Sequence, residues 1–212
     1  MQVIGLCGYA GSGKDTAAQA LVDIGWQRVS FADPIREIAL AIDPIVYVGQ
    51  GWLSKWTSWY VKVLPNWIRR RIWVEPFVLH LRAFVCYHGW DEAKKHREVR
   101  NLLQRIGTEV GREMIDENIW VCMASNKIKE AAIECRIPGI VITDLRFPNE
   151  LEELRVWARS KLVRISRPGI GPVNDHQSDR LLESFEVDHE LVNDGDVAKL
   201  HAAILAVAKG GE

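Results

Sequence analysis

Apolar and polar positions along this chain switch between two periods. Residues 3–7 form a short unbroken apolar run ending in a glycine-rich turn, the pattern of a strand buried on both faces. Over residues 14–24, Ala17, Ala18, Leu21 and Val22 recur at helical spacing, with Gly25 as the stop. A second short strand is expected over 27–32. Asp33-Pro34 then opens another helix, since proline is tolerated in a first turn. From Arg100 the pattern is helical again. Leu102, Leu103, Ile106, Val110 and Met114 share one face, and Arg105, Glu109 and Arg112 form a stripe on the other. Gly107 and Gly111, four apart, leave a bare patch where a backbone or a ligand can approach.

The second half continues the alternation. A helix is expected over 119–134, buried through Val121, Ala124, Ile128 and Ala132, and then an apolar strand over 139–144 that ends in Asp144. A helix over 149–159 and a strand over 162–166 follow. Residues 167–184 are polar, with Pro168, Gly169, Gly171 and Pro172, and read as a mobile loop. A last strand near 190–192 leads through Asn193-Asp194-Gly195 into a terminal helix over 197–208. Strands alternating with helices predict an α/β fold: a parallel sheet covered on both faces, with ligands at the carboxyl ends of its strands. Residues 44–98 resist this reading. They mix aromatic, basic and apolar residues, interrupted by Pro65 and Pro76, and predict short helices without clear bounds.

Composition narrows the class. The 212 residues suit one domain with a full core. A formal net charge of -1 disfavours a polymeric nucleic-acid partner. The four cysteines (Cys7, Cys86, Cys122, Cys135) have no metal-binding spacing and read as buried free thiols. The N-terminus enters a strand directly, without the form of a signal peptide, and no apolar run reaches membrane-spanning length. The expected setting is a reducing cytoplasm.

The chemistry concentrates in Gly8-Tyr9-Ala10-Gly11-Ser12-Gly13-Lys14-Asp15-Thr16. Its Gly-x4-Gly-Lys spacing, between a strand and a helix, is that of a phosphate-binding P-loop. Glycines let successive backbone N–H groups turn toward phosphate oxygens, and the helix adds its positive end. The Lys14 ammonium reaches the terminal phosphates of ATP. Asp15 stands where a magnesium-binding hydroxyl is usual, and Thr16 follows it. Either can serve a hard cation such as Mg2+.

Transfer between phosphates needs a further carboxylate and several cations. Asp144, at the tip of its strand, is placed to organise magnesium, or alternatively to cap the helix that begins near Pro148. Arg36, Arg105, Arg112, Arg146, Arg164, Arg167 and Arg180 are the candidate phosphate clamps. Arg105 and Arg112 stand out because they flank Glu109 beside the glycine patch. Arg167, Arg180 and His176 share a loop that could close over ATP.

The chain resembles the deoxynucleoside monophosphate kinases of bacteriophages, within the wider nucleoside monophosphate kinase group. The likeness rests on the phosphate loop, on Ser30-Phe31-Ala32-Asp33-Pro34, and on Leu103-Gln104-Arg105-Ile106-Gly107-Thr108-Glu109-Val110-Gly111-Arg112. Thr143-Asp144-Leu145-Arg146-Phe147-Pro148-Asn149-Glu150, Arg167-Pro168-Gly169, His176-x-Ser178 and Asn193-Asp194-Gly195 extend it over nearly the whole chain. Asp179 departs from it, standing where glutamate would be expected. The resemblance implies a three-layer P-loop sandwich as a single kinase domain. Its core would take in residues 1–43 and 99–212, with an inserted monophosphate-binding arm at about 44–98 and a lid at about 167–184. It also implies the reaction ATP + dNMP giving ADP + dNDP, with magnesium. By that likeness Lys14, Asp15, Arg105, Asp144 and Arg146 would be catalytic. Gly8, Ala10, Gly11, Ser12, Gly13, Lys14, Asp15 and Thr16 would bind the nucleotide phosphates, and Asp15, Thr16 and Asp144 would hold the metal. Asp33, Arg36, Arg105, Glu109 and Arg112 would face the monophosphate, and His176 would meet it from the lid. Arg167 and Arg180 would meet ATP from the lid, with Asn193 and Gly195 near the adenine.

Six of the nine tryptophans (Trp52, Trp56, Trp59, Trp67, Trp73, Trp90) fall within the arm. A small apolar subcore, a homodimer interface and a base-stacking platform all suit them. Two alternative functions stay open on the residues alone. One is a kinase for another phosphorylated acceptor, of the dephospho-coenzyme A or phosphomevalonate type. The other is a non-catalytic module that uses ATP as a signal.

Overall fold

The computed structural model describes residues 1–47, 78–133, 137–171, 182 and 184–210. Its contacts divide the chain into two compact units. One comprises Met1–Pro34 with Asp116–Glu212, and the other Ile35–Ile115.

The first unit is built on a parallel sheet. β1 (Gln2–Cys7), β2 (Gln27–Val29), β5 (Gly139–Ile142), β6 (Ser160–Ser166) and β7 (His189–Val192) lie side by side in the order β2-β5-β1-β6-β7. β1 is central, pairing with β5 through Val3 and Ile140 and with β6 through Val3 and Ser160. Its side chains alternate between two cores, as a pleated strand requires. Val3 and Cys7 join Val121, Ala124 and Ile128 of α5 (Ile119–Ile133) and Leu154 of α6 (Pro148–Val156). Ile4 and Leu6 face the opposite way. They meet Ala17, Ala18 and Leu21 of α1 (Lys14–Val22), and Leu200 and Ile204 of α7 (Val197–Lys209). This is the expected three-layer α/β sandwich. Each fully buried leucine or isoleucine contributes about 1.5–3 kcal/mol, so both cores clamp β1 and fix where its carboxyl end delivers the phosphate loop.

The second unit begins within α2 (Asp33–Ile42). It continues through a hairpin of β3 (Ile45–Tyr47) and β4 (Val78–His80), then α3 (Leu81–Ala93), α4 (Arg97–Arg105) and a π-helix (Ile106–Ile115). It reaches beyond residues 44–98 on both sides because Ile35 of α2 packs at Gly107 of the π-helix. Asp43 holds the start of α3, accepting from the Arg82 amide at 2.8 Å, while the Arg82 guanidinium donates to the Leu40 carbonyl.

Three expectations need correction. The apolar face through Val110 and Met114 does not form: these residues are 43% and 77% exposed, whereas Gly107 and Gly111 are buried. The wider i→i+5 winding of a π-helix rotates side chains off the α-helical register on which that face was counted. The cysteines are not uniformly buried, since Cys86 and Cys122 are exposed on outer helix faces and only Cys7 is buried among those described. On α5, Ala131 rather than Ala132 reaches the core. Among the described residues, no helix is long and apolar enough to cross a membrane.

Candidate functional site

The phosphate loop starts at the carboxyl end of β1 and ends in α1. Gly8, Gly11 and Gly13 all have positive φ, at 139°, 81° and 105°. At Gly13, a Cβ would also fall 2.4 Å from the Asn193 side-chain nitrogen. The loop is therefore fixed by backbone angle and by close packing, and glycine satisfies both. Ser12 is fully buried beneath it, while Ala10 is exposed at its tip.

Around this loop lies a cleft of about 340 Å³, lined by Gly11, Gly13, Lys14, Asp15, Thr16, Arg167, Asn193, Gly195 and Val197. Residues far apart in sequence thus meet where the sheet's carboxyl edge opens. The Lys14 ammonium donates to the Gly8 and Tyr9 carbonyls, each at 2.7 Å. Burial, aided by the Arg146 charge, pulls its pKa down to about 8. Arg146, four residues beyond the end of β5, is therefore near enough for its charge to act on Lys14.

Asp144 accepts three hydrogen bonds, from Ser30 Oγ (2.7 Å), the Phe31 amide (2.9 Å) and the Ala32 amide (3.0 Å). It ties the carboxyl end of β5 to the turn after β2. The cap of α6 is formed elsewhere: the buried Glu150 carboxylate accepts from the amides of Arg146 (2.7 Å) and Phe147 (3.1 Å). The helix-cap alternative for Asp144 is thereby corrected, and Glu150 fixes the backbone that carries Arg146.

Arg28 was not singled out from the sequence. It donates to Asp15 Oδ1 and to Thr143 Oγ1, both at 3.3 Å. No sequence spacing joins positions 28 and 143; the parallel pairing of β2 with β5 does. Arg164 is turned to structure, donating to the Leu182 and Phe185 carbonyls at 3.0 and 2.8 Å.

Asp33 starts α2, its amide bonded to the Ser30 carbonyl. Arg36, Arg105, Glu109 and Arg112 belong to the second unit. There Arg105 pairs with Glu109 at 3.0 Å, Arg36 lies over the Trp90 ring at 5.9 Å, and Arg112 is half-buried. His176, Arg180 and Asp179 lie outside the described residues, as do Cys135 and the other five tryptophans of the aromatic segment.

Residues 80–204 match the family model for deoxynucleotide monophosphate kinase. The chain belongs to the deoxynucleotide monophosphate kinase family. It is similar over most of its length to two curated relatives. The deoxynucleoside-5'-monophosphate kinase of Escherichia phage T5 is 30% identical, over 92% of this chain and 90% of the relative. A putative deoxynucleotide monophosphate kinase of Acanthamoeba polyphaga mimivirus is 28% identical, over 97% of this chain and 95% of the relative. Among solved structures, a dephospho-CoA kinase from Campylobacter jejuni is 15% identical with full coverage of both chains and a TM-score of 0.40, too loose a likeness to place any residue. Family membership makes this chain a kinase, and so a phosphotransferase.

Proposed function

We propose that this kinase transfers the γ-phosphoryl group of Mg-ATP to a deoxynucleoside monophosphate, giving ADP and a deoxynucleoside diphosphate. The observation that carries this reading is the convergence of Gly11, Gly13, Lys14, Asp15 and Thr16 with Arg167, Asn193 and Gly195 around one cleft at the end of β1. Backbone amides, a helix N-terminus and the Lys14 ammonium are the groups that bind a polyphosphate. On binding, Lys14 exchanges its two carbonyl partners for phosphate oxygens, and Arg146 adds a second cation nearby. The turn of residues 193–195 lies near the adenine, while Arg167, with Arg180, covers ATP and excludes water.

The donors available to magnesium are the hard oxygens of Asp15, Thr16 and Asp144. They suit an ion that takes one or two protein ligands and completes its shell with phosphates and water. Asp15 and Thr16 line the cleft. Magnesium held by these oxygens would offset the negative charge that develops on the phosphates during transfer. Asp33, Arg36, Arg105, Glu109, Arg112 and His176 are the proposed monophosphate contacts. Their arginines orient the acceptor for in-line attack. The acceptor phosphate is already anionic near neutrality, so no strong general base is required.

The test is a coupled ADP-release assay with Mg-ATP and, one at a time, dAMP, dGMP, dCMP, dTMP and their ribose counterparts. ADP release with deoxy acceptors is expected, and silence across the panel from a chain that binds ATP would refute the assignment. Arg146→Ala should lower turnover by roughly 10³; a loss of only a few-fold would remove Arg146 from the reacting centre.

A further inference from the structure

Asn193 makes a connection that nucleotide contact alone does not require. Its backbone amide donates to the Ser166 carbonyl at 2.8 Å, anchoring it to the end of β6. Its side chain is buried, at 7% exposure, and uses both ends: Oδ1 accepts from the Gly195 amide at 3.1 Å, and Nδ2 donates to the Ser12 carbonyl at 2.8 Å. Carbonyl and N–H of a planar trans peptide point in opposite directions. The bond that holds the Ser12 carbonyl therefore also sets the direction of the Gly13 N–H, at the N-terminus of α1. The Asn193 amide further fills the space where a Cβ on Gly13 would project.

We infer that Asn193 is a positioning residue for phosphate binding: it holds the Ser12–Gly13 peptide in its binding orientation and couples the 193–195 turn to the phosphate loop. The inference rests on reading the cleft as the ATP site. It assigns Asn193 an effect on the triphosphate, whereas a contact to the adenine would affect only the base. Free Asn193 donors would leave the Ser12 carbonyl, buried under the loop, without its partner.

Asn193→Leu, uncharged and of similar size, separates these roles. The variant fills the same space but leaves the Ser12 carbonyl without its donor. Affinity for ATP and for inorganic tripolyphosphate, which has no base, is measured by calorimetry alongside the melting temperature. The expected result is a loss of about tenfold for both ligands, the scale of one buried hydrogen bond left unmade. Weakening of ATP with tripolyphosphate unchanged would make Asn193 a base contact and overturn the inference. A lower melting temperature with both affinities intact would make it purely structural and overturn it equally. If Asn193→Leu does not fold, Asn193→Ser, which shortens the side chain and keeps it polar and uncharged, gives the same comparison. A parent chain that binds neither ligand would refute the ATP reading itself, and the inference with it.

Discussion

The Asn193 side chain donates to the Ser12 carbonyl, 181 positions earlier in the chain, and occupies the space beside the Gly13 Cα. Gly13 sits at φ 105°, where a Cβ costs about 1–2 kcal/mol before any contact is counted. Gly13→Ala should therefore lower the melting temperature and abolish tight ATP binding together. A variant that melts normally and binds ATP as the parent does would show that the loop tolerates another path.

Lys14 gives the loop a pH dependence of definite sign. Its folded pKa of about 8 lies below its ordinary value of 10.5. Below pH 8 the folded chain carries the full cost of a buried ammonium. Between 8 and 10.5 the unfolded chain binds more protons, so this cost is relieved as pH rises. Phosphate oxygens favour the charged form and raise the pKa again. ATP binding near pH 9 should thus take up a fraction of a proton and weaken as pH climbs. Calorimetry in buffers of different ionisation enthalpy measures the uptake, and Lys14→Met should abolish it. Proton-independent binding by the parent chain at pH 9 would contradict this account.

Asp144 holds the turn after β2 through three accepted hydrogen bonds, whatever else it does. Asp144→Ala should cost about 1–3 kcal/mol, because the Phe31 amide and the Ser30 hydroxyl lose their acceptor and the Ala32 amide keeps only Ser30 Oγ. Urea denaturation reads this without any ligand. A stability within experimental error of the parent would mean that water replaces the carboxylate fully.

Asp188 supplies an acid-sensitive tie between β6 and α6. Burial alone would raise its pKa, but the Leu162 amide at 2.6 Å and the Arg155 guanidinium at 2.8 Å outweigh it and hold the carboxyl below its ordinary value. Its contribution is present at neutral pH and disappears as pH falls through the depressed value. The pair is more than a third exposed, so screening keeps the effect under about 1 kcal/mol. Asp188→Asn should flatten the acid limb of the stability curve below the ordinary carboxylate range. An unchanged acid limb would discount the tie.

What the chain determined by itself was local. The apolar run of β1, the glycines of the loop and the lysine that follows them are contiguous, so backbone geometry and hydrophobic period fix strand, loop and helix together. The alternation of elements likewise dictated a parallel sheet with both faces covered, because strands apolar at every position must be buried on both sides. The tertiary structure decided the rest. Arg28 reaches Thr143 because β2 pairs with β5, and Glu150 rather than Asp144 caps α6 because that carboxylate accepts from the amides of Arg146 and Phe147. The inward turn of Gly107 and Gly111 depended on π-winding, which a count at helical period cannot register. Asn193 meets the phosphate loop because β6, lying between β1 and β7, brings both strand ends to one edge. Such contacts depend on the order and register of strands, and those are set by the packing of the whole core, which no single stretch of sequence contains.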